Sequence, residues 1–243
     1  MKKIILMLCF CSIAVQAAVM GTVDRISKTL TVRNDFWQCS FIEGSMFPSD
    51  FVFKNGKKPG IILFRDTAQS GKTVYSLHEE RHAVCRILKN TENELIVEFE
   101  GGFWRNQNPV ISPLKDLKVI CRYEFKRDSD IVKMHMKYVK KSAENIKIND
   151  IFDMNWYYEN PFDAVSIDGR KIDFKKAQKP LNPFSGKAYI VFENRDCFIK
   201  YSAANVRFLY ARRGNFPLSV SIKGGNLTED NCEFSVSLQM RAK

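Results

Sequence analysis

Between Leu117 and Tyr158 the chain runs through three successive segments in which apolar and polar side chains alternate. Leu117, Val119, Cys121, Tyr123 and Phe125 alternate with Lys118, Ile120, Arg122, Glu124 and Lys126. Val132, Met134, Met136 and Tyr138 alternate with Lys133, His135 and Lys137. In the third segment Ile146, Ile148, Phe152, Met154 and Trp156 are assigned to one face, and Lys147, Asn149, Asp153, Asn155 and Tyr157 to the other. A period of two sends successive side chains to opposite sides of a strand. Sustained over this length, it predicts an antiparallel meander with one packed face and one wet face.

The same rhythm extends outward. Lys28–Arg33 and Phe36–Ile42 read as a strand pair turning at Asn34-Asp35. Phe51 and Phe53 lead into Asn55-Gly56, a strong hairpin signal, with Ile61–Phe64 expected as the returning strand. Arg65–Lys72 reads as a loop. In Thr73–Lys89 the residues Leu77, His78, Arg81 and His82 fit one helical turn, whereas Ala83–Leu88 fits a strand. Glu94–Glu100 alternates again. Gly101–Ser112 is expected to be an irregular segment, and its mixture of Phe103, Trp104, Arg105, Asn106 and Gln107 makes it the first place to look for binding. Beyond Tyr158, Asp168-Gly169 marks a second hairpin, Gln178–Gly186 a loop, and five further strands run to Met240. No helical period of useful length occurs. About a dozen strands at short spacing predict an all-β fold, a large antiparallel two-sheet β-sandwich. With no repeat or boundary visible, residues 18–243 are expected to form a single domain.

The N-terminus changes the compartment expected. Lys2 and Lys3 precede an apolar run, Ile4–Val15, too short to span a membrane, and Val15-Gln16-Ala17 supplies small residues for cleavage. Residues 1–17 therefore read as a signal peptide, and the mature chain as exported, periplasmic or secreted, without a membrane span. The formal net charge of +11 falls to +9 on removing Lys2 and Lys3. A basic exported protein is drawn to anionic partners, which favours acidic polysaccharide over nucleic acid. Five of the seven cysteines remain after cleavage: Cys39, Cys85, Cys121, Cys197 and Cys232. An odd number cannot all pair within the chain. Cys39, Cys121 and Cys232 fall on inward positions, so buried free thiols are the default, with one disulfide possible in an oxidising compartment. No cysteine or histidine spacing calls for a metal, and no cofactor motif is present. His78 and His82 have the outer spacing of a zinc-protease motif in His78-Glu79-Glu80-Arg81-His82, but the segment is short, lies among strands and lacks a third ligand.

The order of these features carries a resemblance. A strand pair turning at Asn34-Asp35, the Phe51-Val52-Phe53-Lys54-Asn55-Gly56-Lys57 hairpin, the basic Val119–Tyr138 region and a strand ending in Asp153-Met154-Asn155-Trp156 together resemble the galactose-mutarotase-like supersandwich. Such domains occur in aldose epimerases, several glycoside hydrolases and polysaccharide lyases. The resemblance implies the scaffold. It does not carry epimerase chemistry over: those enzymes use two histidines and a carboxylate, and the strand corresponding to Asn149–Trp156 holds Asp153 and Asn155 where a histidine would be needed.

Several positions have side chains suited to sugars. Asp153, Asn155 and Tyr157 step along one polar face at about 7 Å per two residues. Trp104 can stack on a pyranose, with Arg105 beside it, whereas Trp156 shares its face with Met154 and Phe152 and reads as core. Arg212 and Arg213 can hold a carboxylate or sulfate bidentately. Three functions fit: a carbohydrate-binding or accessory protein engaging acidic polysaccharide, a polysaccharide lyase, or a structural envelope protein. A lyase needs a base and a group that neutralises a uronate. Tyr157, Tyr158 or His78 would be the base, and Arg212, Arg213 or Asn155 the neutralising group. Oligomeric state is left open.

Overall fold

The computed structural model describes residues 20–59, 61–64, 66–77, 80–107, 110–143, 145–157, 164–167, 169–172, 186–193, 195–206, 209–212, 218–223, 227 and 231–243. These residues contain nineteen strands and no α-helix. A small antiparallel sheet takes the first four in chain order: β1 (Gly21–Asp24), β2 (Thr29–Arg33), β3 (Trp37–Phe41) and β4 (Ser49–Phe53). The larger sheet is built from β5 (Ile61–Phe64), β6 (Thr67–Ser70), β7 (Thr73–Ser76), β8 (Val84–Asn90), β9 (Glu94–Gln107), β10 (Val110–Lys126), β11 (Ile131–Lys140), β12 (Ile146–Tyr157), β13 (Ala164–Ile167), β14 (Arg170–Ile172), β15 (Gly186–Glu193), β16 (Cys197–Val206), β17 (Leu209–Arg212), β18 (Leu218–Lys223) and β19 (Asn231–Ala242). Its path is β14-β13-β15-β16-β19-β11-β10-β9-β7-β6-β12-β18-β17, with β5 added on β12 and β8 on β9. The result is the expected all-β, two-sheet antiparallel sandwich.

Alternation decides what is buried. Leu117, Val119, Cys121, Tyr123 and Phe125 on β10 are all sealed in the core, as are Val132, Met134, Met136 and Tyr138 on β11. The small sheet presses Trp37 and Phe41 onto the β10 side chains. Phe41 stacks on Phe99 at 4.8 Å and meets Tyr123 edge-on at 5.0 Å, while Trp37 meets Phe125 edge-on at 5.9 Å. Such pairs add about 0.5–1.5 kcal/mol each beyond area burial. The wet faces of β8–β11 carry charges that are largely paired: Arg122 with Glu98 at 2.9 Å, Lys118 with Glu100 at 2.7 Å and Lys137 with Glu233 at 2.9 Å.

The turn at Asn34-Asp35 holds, and the second expected hairpin is present as the β13–β14 pair, with Asp168 itself outside the described residues. Asn34 Oδ1 accepts the N–H groups of Phe36 and Trp37, which fixes the β2–β3 reversal. Gly169, at φ +80, joins β13 to β14. Asn55-Gly56 also turns the chain, but β5 does not return onto β4; it crosses to the larger sheet and pairs with β12. A turn signal specifies a reversal and not a partner, and Pro59 has no N–H with which to continue a ladder. The expected meander is likewise corrected. β10 and β11 pair, but the next neighbour of β11 is β19, and β12 lies across the sheet against β5, β6 and β18.

Three further expectations change. Arg65–Lys72 contains β6, and Gly101–Ser112 is mostly strand, because β9 continues to Gln107 and β10 begins at Val110. The strand β12 does not keep one phase. Register shifts between Ile148 and Asp150 and between Ile151 and Met154 interrupt it, and Ile151 is buried alongside Ile146 and Ile148. Among the described residues no disulfide joins Cys39, Cys85, Cys121, Cys197 and Cys232; Cys39, Cys121 and Cys197 are buried, Cys232 is half-buried and Cys85 is exposed.

Candidate functional site

The neighbourhood of Trp104 is assembled from β9 and the short connection 77–83. Gly101-Gly102 sits in mid-strand immediately before Phe103 and Trp104. Glycine in a strand interior often marks a close approach, and here the approaching group is Glu80. This residue is only 3% exposed. Its Oε2 accepts the Gly102 N–H at 2.6 Å and its Oε1 accepts the His82 N–H at 2.6 Å. A Cβ at Gly101 would lie 2.8 Å from both Glu80 Oε2 and Met46 Sδ, so a side chain there would collide with the carboxylate.

Other bonds pin the same connection. The Leu77 N–H donates to the Asp66 carbonyl at 2.9 Å, the Glu80 N–H to the Leu77 carbonyl at 3.1 Å, and the Ala83 N–H to the Gly44 carbonyl at 3.1 Å. Gly44 has φ +77, and a Cβ there would sit 2.0 Å from the Arg81 carbonyl oxygen. The backbone is thus fixed on both sides of His82, and the exposed imidazole lies against Trp104 with 5.2 Å between ring centroids. Trp104 and Arg105 are both half-buried. The Trp104 Nε1–H is shut off from solvent with no acceptor, a condition shared with core Trp37. A buried donor left unpaired is unusual enough to need a reason. Beneath the site Phe103 is fully buried and stacks on Tyr138 at 6.2 Å. The Tyr138 O–H donates to Asp66 Oδ2 at 3.4 Å, and Asp66 is wholly buried. Burial, followed by the Asp66 charge, pushes the Tyr138 phenol well above its ordinary range. Burial does the same to Tyr123, whose hydroxyl donates to the Met46 carbonyl at 2.8 Å. Neither phenol is suited to act as a base.

The other sequence-nominated residues lie elsewhere. Asn155 on β12 is in register with Ser219 on β18, and Ser219 with Arg212 on β17, so these three positions form one lateral row. Asp153 falls within the register shift between Ile151 and Met154, and Tyr157 is opposite Ile61. The side chains of Asp153, Asn155, Tyr157 and Arg212, and the whole of His78 and Arg213, lie outside the described residues. The row through Trp104 crosses Ser76, Thr67 and Asp150. Asn155 is five residues further along β12, roughly 17 Å at about 3.3 Å per residue. The nominated positions therefore belong to two rows: Trp104 and Arg105 near one, Asn155 and Arg212 on the other.

Chemically, the site offers the Trp104 indole and the His82 imidazole on a rigid backbone, whereas Arg105, the next residue along β9, alternates to the other face of the strand. That set stacks on rings and donates hydrogen bonds to oxyanions. Among the described residues no group of three or more histidines, cysteines or carboxylates is arranged to hold a metal ion, and no helix is long and apolar enough to cross a membrane. Glu80 and the His82–Trp104 contact escaped the sequence reading. The signal for them was present in the adjacent glycines of an otherwise alternating strand.

No family model matches the chain, and no curated protein matches its sequence. Solved structures do match its fold. A protein of glycosyl hydrolase family 38 from Enterococcus faecalis superposes with a TM-score of 0.63 at 7% identity, over 94% of this chain and 31% of its own. An α-mannosidase from Enterococcus faecalis V583 gives 0.61 at 7% identity over 94% and 30%. The family 36 α-galactosidase AgaB of Geobacillus stearothermophilus gives 0.54 at 8% identity over 92% and 41%. The chain thus spans about a third of the length of these three structures. At these identities the likeness shows the fold alone, and it agrees with the large β-sandwich that the resemblance implied.

Proposed function

We propose that this chain is an exported carbohydrate-binding or accessory protein that engages acidic polysaccharide. The observation that carries the reading is Trp104. A half-buried indole lies against the exposed imidazole of His82, on a strand held from behind by Glu80. A saccharide ring can stack on such an indole, and the basic balance of the chain attracts a uronate or sulfate. Fold likeness to an α-mannosidase and an α-galactosidase supports a sugar ligand without transferring a reaction. The excess of 38 Lys and Arg over 27 Asp and Glu supports an acidic one.

The test is titration of uronic-acid and neutral oligosaccharides against the wild type and against Trp104→Ala and Arg105→Ala. Binding confined to acidic glycans, weakened at least about tenfold by Trp104→Ala and falling with salt, is the expected result. Absence of binding to every glycan at physiological salt refutes the reading. Absorbance from a newly formed unsaturated bond in the same incubations would reassign the protein as a lyase.

A further inference from the structure

The wet face of the larger sheet carries a second constellation, on β11 and β19. These strands pair in one continuous register, from Ile131 opposite Gln239 to Val139 opposite Asn231. Met134, Met136, Val236 and Leu238 are sealed in the core, which fixes the phase of the side chains that face outward. The register sets His135 directly opposite Ser235, and Lys137 opposite Glu233. Opposed Cβ atoms are about 4.5–5.5 Å apart, so imidazole and hydroxyl meet without strain: His135 Nδ1 lies 2.7 Å from Ser235 Oγ. The other ring nitrogen, Nε2, faces Glu233 Oε2 at 3.3 Å, and Glu233 Oε1 takes the Lys137 ammonium at 2.9 Å. The neutral imidazole that suits both neighbours directs Nε2–H at Glu233 and accepts the Ser235 O–H at Nδ1. This is a nucleophile, its base and a group orienting the base. Ser235 is half-buried and the imidazole 42% exposed, so a substrate in solution reaches both.

Beside them opens a hollow of about 300 Å³ whose lining includes Arg122 and Lys133. Arg122 stands opposite His135 on β10. Its Nη2 meets Glu98 at 2.9 Å, one of five N–H donors on the guanidinium. Lys133 Nζ is 4.0 Å from Glu124, beyond hydrogen-bond range. A sheet face offers no backbone N–H, because the ladder uses these groups in its own plane. These two cations are therefore what a developing oxyanion would meet. Met134 and Val236, also at the hollow, turn their side chains into the core, which leaves little apolar surface for a long acyl chain.

We propose that Ser235, His135 and Glu233 form an acyl-transfer site that hydrolyses short-chain esters of hydrophilic alcohols. Ser235 Oγ adds to the ester carbonyl as its proton passes to His135 Nδ1, and Arg122 and Lys133 stabilise the tetrahedral oxyanion. Collapse breaks the bond to the alcohol, which leaves with the proton from His135. Water then adds to the acyl-serine and gives a proton to Nδ1. The second collapse returns that proton to Ser235 Oγ and releases the carboxylic acid. Glu233 and Lys137 act as positioning residues. Trp104 pairs with Pro113, toward the other end of β10, so this site stands independently of the glycan reading.

The full protein is tested with p-nitrophenyl acetate and, separately, with a fluorophosphonate, and circular dichroism confirms that each variant is folded. Turnover above the buffer rate is expected, with a phosphonyl adduct that peptide mass spectrometry places on Ser235. Ser235→Ala should remove the adduct and lower kcat/KM at least about 100-fold, and His135→Gln should lower it as far. Glu233→Gln should lower kcat at least about tenfold at unchanged KM, and Glu233→Asp should recover part of that loss, a pattern that a purely structural role does not produce. No adduct on the wild type, an adduct on another residue alone, or a rate unchanged in Ser235→Ala overturns the proposal. Wild-type kcat in Glu233→Gln overturns the part given to the carboxylate.

Discussion

Replacing Glu80 by alanine tests whether the Trp104 platform is held from behind as the geometry indicates. The carboxylate is 3% exposed and accepts two backbone N–H groups, from Gly102 and His82, at 2.6 Å each. Hydrogen bonds to a charged acceptor contribute about 1.5–3 kcal/mol each, and a buried donor left unpaired costs about 1–3 kcal/mol. These are two views of the same loss and do not add. Water entering the vacated space recovers part of it. The expected destabilisation is about 3–5 kcal/mol, a large fraction of a typical total of about 5–15 kcal/mol. With a urea m-value of about 2–3 kcal/mol/M, the midpoint should fall by about 1–2 M at unchanged m. Glu80→Gln keeps one acceptor oxygen and turns an NH2 group toward a second donor, so it should lose at least half as much. The assay is urea unfolding followed by circular dichroism and by tryptophan fluorescence. Loosening of 80–82 should also alter the native emission, because His82 rests against Trp104. A loss below about 0.5 kcal/mol for Glu80→Ala, the range of an ordinary surface change, would refute the reasoning.

Gly44→Ala should cost more than Gly56→Ala. Both positions have positive φ, at +77 and +79, which disfavours a side chain by about 1–2 kcal/mol. Only at Gly44 does the new Cβ strike backbone, the Arg81 oxygen at 2.0 Å, whereas at Gly56 nothing lies within 4 Å; equal unfolding midpoints would contradict the clash. A native thiol titration should show Cys85 reacting ahead of Cys39, Cys121 and Cys197, which are buried and react on unfolding. Burial raises the Cys85 thiol above its ordinary value and pushes Cys121 up to about 12 and Cys197 to about 11, so modification should accelerate with rising pH. Acid should weaken the fold in a salt-dependent way. The hydrogen bond from Lys118 holds Glu100 below its usual range, and that from Lys137 does the same for Glu233. Their contribution is present above the unfolded value of 4.5 and is lost as pH falls through the lower folded value. A urea midpoint flat below pH 5 at low salt would argue against it.

The fold was legible wherever one face is buried and the other wet. Along β10 and β11 every inward assignment from Leu117 to Tyr138 is sealed, because the two-residue period has only two phases and burial selects one of them. Partner choice was not legible. Alternation says which way a side chain faces but nothing about which strand lies alongside, so β5 was assigned to β4 and β12 to β11. Bulges were equally silent. The shifts at 148–150 and 151–154 change phase without any proline or glycine to announce them, and they fall on the strand that carries Asp153 and Asn155.

The site was legible by residue type but not by assembly. Trp104 and Arg105 were singled out for a loop's chemistry, yet they stand on a strand. This alters what they can do: a side chain on a paired strand is held by the backbone ladder and has less freedom to lose when a ligand binds. In sequence the Gly101-Gly102 pair reads as the start of an irregular segment. Its role is the opposite, since the missing side chains admit Glu80, and Glu80 ties the connection bearing His82 to β9. The same connection leads into β8 through Ala83 and Gly44. The Trp104 platform and β8 are therefore two ends of one restrained segment. A substitution that frees Glu80 should be felt at both, in the emission of Trp104 and in faster hydrogen exchange of the β8 amides.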